Sequence, residues 1–153
     1  MDNKLPVRKN LHHRIPDWVS LTSIYFITIC TYPKGINQLC KKEVYIKIKD
    51  SAMYYQSSKK WWIHYFLLMP DHIHGLVSFT YSPDMHHTIK NWKRYIAKRC
   101  TIKWQRNFFD HRLRTDESYS KKEHYISMNP VRAGLADEYE NWPYCWQGRD
   151  GYP

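Results

Sequence analysis

Trp61-Trp62-Ile63-His64-Tyr65-Phe66-Leu67-Leu68-Met69-Pro70-Asp71-His72-Ile73-His74-Gly75-Leu76-Val77-Ser78-Phe79 is the stretch on which the fold turns. Residues 61–69 form a nearly continuous apolar run of strand length, as expected of a buried strand. Pro70-Asp71 interrupts it and residues 72–79 resume strand chemistry, so the two runs predict an antiparallel hairpin. Side chains alternate along a strand. His72 and His74 therefore share one side, while Ile73, Gly75, Val77 and Phe79 turn the other way, into the core. Two imidazoles at that spacing lie close enough to hold one divalent metal ion. The spacing equally suits two packed or solvent-facing histidines at a hairpin edge.

Working outward, residues 22–32 are rich in Ile, Tyr, Phe and Thr and predict a strand, broken at 33–37 by Pro33 and Gly35. Residues 41–55 repeat Val44, Ile48, Ala52 and Tyr55 at helical spacing. Downstream, 86–104 is the strongest helical pattern: Ile89, Trp92, Ile96 and Cys100 form an inward stripe, with Lys90, Lys93, Arg94 and Lys98 toward other faces. Residues 105–113 are mixed, with a strand possible. Ser120-Lys121-Lys122-Glu123 reads as a capping box opening a helix at about 121–128, which Pro130 ends. The order strand, helix, strand, strand, helix, possible strand, helix predicts an α+β fold, helices packed on a small sheet. The chain divides into a basic arm (1–18), a body (19–146) and a short tail (147–153).

The chain has 153 residues, the size of a single domain. Aromatics make up 16%, enough apolar surface to exclude a disordered chain. Lys and Arg number 24 against 14 Asp and Glu, a net charge of +10 that points to a polyanionic partner. Nucleic acid is favoured over a membrane surface, because the aromatics are spread along the chain rather than gathered on one amphipathic face. No run approaches the roughly 20 apolar residues of a membrane span. The opening residues carry no apolar run after a basic start, so no secretory leader is expected. Four cysteines form no C-x-x-C pair, which removes support for a zinc knuckle. Cys30 and Cys100 read as core thiols of a reducing compartment.

Tyr125 and Asn129, four apart, share one face of the last helix. Asn129 offers a carbonyl oxygen to a metal, and Tyr125 a hydroxyl to a phosphate. Spacing alone does not separate Tyr125 from a core or surface role, since there are 13 tyrosines. Between His86 and Arg114 lie nine Lys/Arg and one acid, Asp110, interleaved with Trp92, Tyr95, Trp104, Phe108 and Phe109. Cations alternating with stacking surfaces suit single-stranded nucleic acid. The same pattern describes an amphipathic helix with its aromatics inward.

Three separated motifs carry a family resemblance. They are Leu68-Met69-Pro70-Asp71-His72-Ile73-His74-Gly75-Leu76, Trp104-Gln105-Arg106-Asn107-Phe108-Phe109-Asp110-His111-Arg112-Leu113-Arg114, and Tyr125-Ile126-Ser127-Met128-Asn129-Pro130-Val131-Arg132-Ala133-Gly134-Leu135. With Arg14-Ile15-Pro16-Asp17-Trp18 ahead of Tyr25-Phe26-Ile27-Thr28, the chain from about His13 to Trp146 resembles the REP-associated tyrosine transposases. These are a single-tyrosine branch of the HUH single-strand transposases. The resemblance implies a ferredoxin-like antiparallel sheet with helices packed on it. It implies Tyr125 as nucleophile, His72 and His74 as metal ligands, and Asn129 completing the metal shell. The ion is Mg²⁺ or Mn²⁺, with imidazole ligation leaning toward Mn²⁺. The implied activity is cleavage and rejoining of single-stranded DNA at REP-like hairpins through a 5′-phosphotyrosine link. Candidate DNA contacts are His13, Arg14, Lys90, Lys93, Arg94, Lys98, Trp104, Arg114 and Arg132. A cytoplasmic, nucleoid-associated protein is expected, with monomer and homodimer both open. Two other readings remain: a catalytically idle hairpin-binding regulator on the same fold, and an unrelated H-x-H metal-dependent phosphoesterase.

Overall fold

The predicted hairpin forms. In the computed structural model, which describes residues 16–114 and 118–151, strand β2 (Trp61–Met69) pairs antiparallel with β3 (His72–Phe79). The register runs from Trp61 opposite Phe79 to Met69 opposite His72. Before it come β1 (Tyr25–Cys30) and helix α1 (Lys42–Ser57); after it come α2 (Met85–Cys100), β4 (Phe109–Arg112), α3 (Tyr119–Ser127), the short α4 (Asn129–Arg132) and β5 (Cys145–Trp146). The five strands make one sheet in the order β4-β1-β3-β2-β5, every neighbouring pair antiparallel. Strands β1 to β4 with crossovers α1 and α2 are the split β-α-β arrangement of the ferredoxin-like plan, so the α+β expectation is borne out. Toward the end of the chain, β5 pairs with β2 and extends that plan.

Alternation gives the sheet two different faces. Ile27, Ile29, Ile63, Phe66, Ile73 and Val77 point to the face covered by α1 and α2, where Ile48, Ala52, Ile89, Trp92 and Ile96 complete the main core. Each such side chain fully buried contributes about 1.5–3 kcal/mol. Tyr65, Leu67, Met69 and Leu76 point to the opposite face, where Ile126 of α3 covers them. The register shifts between Ile63 and Tyr65, a bulge that lets Ile63 and Phe66 both face the main core. Because Ile73 belongs to the main core, His72 and His74 fall on the α3 face.

Gly75 is required by this packing rather than by its backbone angles. A Cβ there would fall 2.7 Å from Phe66 Cδ1 and 3.3 Å from Ile27 Cγ1. Gly75→Ala is expected to lower stability by about 1–3 kcal/mol, as overpacked cores do. The urea midpoint measures it, and an unchanged midpoint would contradict this reading.

Three local expectations are corrected. Helix α2 stops at Cys100 rather than reaching Trp104, because Thr101 adopts the left-handed conformation (φ 55°) that closes a helix. Trp104 instead forms an isolated bridge with Thr31. The cap of α3 is Ser118, whose hydroxyl accepts from the Lys121 amide (3.2 Å), and the box of Ser120 and Glu123 does not form. The Glu123 carboxylate accepts from the Tyr119 hydroxyl (3.2 Å) and the Gln147 side chain (2.8 Å). Pro130 stands beyond the end of α3 as expected, but Asn129 does not share that helix with Tyr125: it opens the separate α4, in whose first turn the missing N–H of Pro130 costs no helical bond.

Candidate active site and nucleic-acid face

The histidine pair is built into the central strand. β3 lies between β1 and β2, so His74 faces Thr28 on one side and Leu67 on the other, and His72 faces Cys30 and Met69. The two rings stand 4.7 Å apart, centroid to centroid, at 75°. Each is oriented through Nδ1. His72 Nδ1 donates to Asp71 Oδ1 at 2.8 Å, and His74 Nδ1 lies 3.0 Å from Thr28 Oγ1. Those contacts leave the Nε2 atoms for a ligand. Burial pulls the Asp71 carboxyl upward, but the Gly35 amide and His72 outweigh it and hold it below the usual carboxylate value. Burial, with His72 and Arg132 nearby, pushes His74 down to about 3. At neutral pH it is the neutral imidazole that a metal ion requires.

Helix α3 lays the second half of the site across this face. Phe26 stacks against His74 at 5.3 Å, and Lys122 reaches over Phe26 (5.2 Å) and Tyr125 (5.7 Å). Tyr125 is 56% exposed. The Arg132 guanidinium covers its ring at 4.3 Å, and Arg132 Nη2 donates to the Tyr125 carbonyl (2.8 Å) and to Asn129 Oδ1 (2.9 Å). Arg132 thus joins Tyr125 and Asn129 and acts electrostatically on His74. Among the described residues, Asn129 Nδ2 is buried with no hydrogen-bond partner.

These donors fit a divalent ion. Ligating histidines are normally fixed through their second nitrogen by a carboxylate, hydroxyl or carbonyl, as both are here. Among the described residues no three of His, Cys, Asp or Glu gather into a metal-binding group.

The predicted DNA contacts divide. Lys90, Arg94 and Lys98 stand exposed on α2, and Arg114 is exposed after β4. Lys93 is corrected: it is buried, and its ammonium donates to the carbonyls of Gln105 (2.7 Å) and Arg106 (3.5 Å). The loop after α2 folds back over it, which helical spacing could not foretell. Trp104 is half-buried, donating to the Lys93 carbonyl (3.0 Å) and packing on Trp92, so it props this loop. His13 and Arg14 lie outside the described residues. Two partners of the site were missed at the sequence level. Asp71 was visible as the acid preceding H-x-H, whereas Thr28 is identified only by strand register.

Burial also pushes His64 down to about 4, with its Nε2 held 2.9 Å from Ser78 Oγ. The folded state resists protonating His64 and His74, while the unfolded chain takes those protons near pH 6.5. Stability is therefore full above that pH and falls as the pH drops toward 4, by up to about 1.4 kcal/mol per pH unit for each group. Urea midpoints at pH 7 and pH 5 measure the slope, and His64→Gln is expected to flatten it.

A family model described as "Transposase IS200 like" matches residues 20–129, from ahead of β1 through Asn129. The chain belongs to the IS200-like transposases. It is 26% identical over 91 residues to the REP-associated tyrosine transposase of Escherichia coli (strain K12), a match covering 58% of this chain and 55% of that one. It is 28% identical over 100 residues to a candidate REP-associated tyrosine transposase of Haemophilus influenzae, covering 54% and 57% respectively. The chain thus spans little more than half the length of these curated relatives. Its fold matches a solved REP-associated tyrosine transposase bound to a REP hairpin, with a TM-score of 0.68 at 20% identity over 81% of this chain and 76% of that one. Among the described residues no helix is long and apolar enough to cross a membrane.

Proposed function

We propose that this IS200-like transposase cleaves and rejoins single-stranded DNA at hairpin sites, with Tyr125 as the nucleophile. The observation that carries the reading is the pair of imidazoles 4.7 Å apart, each fixed through Nδ1, on the sheet face that the Tyr125-bearing helix covers. In this reading the Tyr125 oxygen attacks a phosphodiester phosphorus. The bond to the 3′ oxygen breaks, leaving a 5′-phosphotyrosine; the phenolic proton passes to solvent, and the departing 3′ oxygen takes one from solvent to become a free hydroxyl. A second 3′-hydroxyl reverses the attack, joins new ends and regenerates the phenol. Because the link conserves the phosphodiester's energy, no nucleotide cofactor is needed.

His72 and His74, through Nε2, would hold Mg²⁺ or Mn²⁺, with Asn129 Oδ1 as third donor. That oxygen accepts from Arg132 and keeps a second lone pair for the ion, while the guanidinium charge beside it opposes a second cation. The ion would neutralise charge on the scissile phosphate and orient it. Asp71 and Thr28 set the imidazole orientations, and Lys122 and Arg132 bring positive charge to where the phosphate must lie.

Arg132's hold on Asn129 favours a second reading, a hairpin binder that does not turn over. One experiment separates the two. The protein is mixed with a labelled hairpin oligonucleotide carrying single-stranded flanks and Mn²⁺ or Mg²⁺, then run on a denaturing gel. A covalent protein–DNA band supports strand transfer. A native-gel shift without that band supports the idle binder.

A further inference from the structure

The α3 face carries one more chemical feature in line with the histidines. Leu67, His74, Thr28 and Phe109 stand opposite one another in successive strands, so their side chains form a row across β2, β3, β1 and β4. Phe109, at the edge, is 75% exposed. Strand spacing sets it two strands, about 10 Å, from His74. Beside it opens a cleft of about 580 Å³, walled by Thr28, Cys30, Tyr32, Phe109 and the loop of residues 104–108. The other side of the same loop walls a second cleft of about 650 Å³, where Lys90, Arg94 and Arg106 line the rim and His86 stacks on Phe108 at 4.8 Å.

The loop between the clefts is anchored from within. Buried Lys93 holds its carbonyls, the Gln105 amide donates to the Cys30 carbonyl (2.8 Å), and the Tyr32 amide donates to that of Lys103 (2.8 Å). Arg106, Asn107 and Phe108 are thereby presented on a fixed frame. An exposed aromatic in line with the histidines, followed by a rim of cations, matches the alternating chemistry of unpaired bases and phosphates. A duplex stem keeps its bases stacked on each other and has no use for such a platform.

We propose that this is the path of the unpaired strand flanking the scissile phosphate: the base next to the cleavage point stacks on Phe109, and the following phosphates cross the loop to Arg106 and Arg94. The proposal rests on the strand-cleavage reading and adds the route by which the substrate leaves the histidine pair.

The test is a binding measurement in excess chelator, which separates it from the chemistry. Affinities are compared for a flush hairpin and for the same hairpin with a four-nucleotide unpaired extension on either end. The readout is the gain that the extension gives. With the unaltered protein the gain is expected to be about tenfold or more on at least one side, since stacking a base on an aromatic ring is worth about that much. Phe109→Ala is expected to remove most of it and Phe109→Trp to keep it. The double substitution Arg94→Glu, Arg106→Glu is expected to abolish it and to flatten its salt dependence. No gain with the unaltered protein, a gain that survives Phe109→Ala, or equal loss in Phe109→Trp would overturn the route. A covalent band with no extension gain defeats this inference alone; an extension gain with no covalent band defeats the strand-cleavage reading alone.

Discussion

Tyr125→Phe is expected to eliminate the covalent protein–DNA species and strand cleavage together, by on the order of 10⁴-fold or more, while hairpin binding persists. The substitution removes one oxygen and keeps the ring. That ring is more than half exposed and lies under the Arg132 guanidinium, a contact that Phe can retain. The fold should therefore be intact, as a thermal melt would check, and the loss would belong to the nucleophile. Cleavage that continues in Tyr125→Phe without any adduct would show water as the attacking group. The protein would then be an H-x-H metal-dependent phosphoesterase.

The second large effect is expected at the histidines. His72→Ala or His74→Ala should each weaken Mn²⁺ binding at least about 100-fold, since removing a ligand costs more than removing its outer partner. Mn²⁺ binding followed by electron paramagnetic resonance reads this without any turnover, and adduct formation should fall in parallel. Asp71→Asn keeps both ligands but weakens the contact that orients His72 (2.8 Å), and should cost about 10–100-fold. Full adduct yield in His74→Ala would remove the ion from the proposed chemistry.

The half of the site on the sheet was legible from alternation alone. With Ile73 inward, His72 and His74 had to share the other face, and a hairpin at Pro70-Asp71 had to place them beside a neighbouring strand. The identity of that neighbour was not legible, because Thr28 lies 46 positions away and only register joins it to His74. Lys93 misled for a related reason. Helical spacing set it beside Trp92 without revealing that residues 104–106 return to cover it. The Ser120–Glu123 spacing satisfied a capping pattern, yet Ser118 offers the same hydroxyl at the true start, and Glu123 is used by Tyr119 and Gln147 instead. β5 was invisible as a strand because two residues carry no periodicity.

The contact between Gln147 and Glu123 gives the residue just after β5 an influence on the proposed chemistry, which it does not touch. The histidines ride on the middle strand of the sheet, whereas α3 is fastened to it by Ile126 and, through Glu123, by Gln147. The link lies two residues before Tyr125 on the same helix. Loosening it would leave the strands paired and let the phenol wander, lowering its effective molarity at the phosphate. In the proposed chemistry, the reaction rate is thus tethered to a side-chain amide whose own position depends on a two-residue strand.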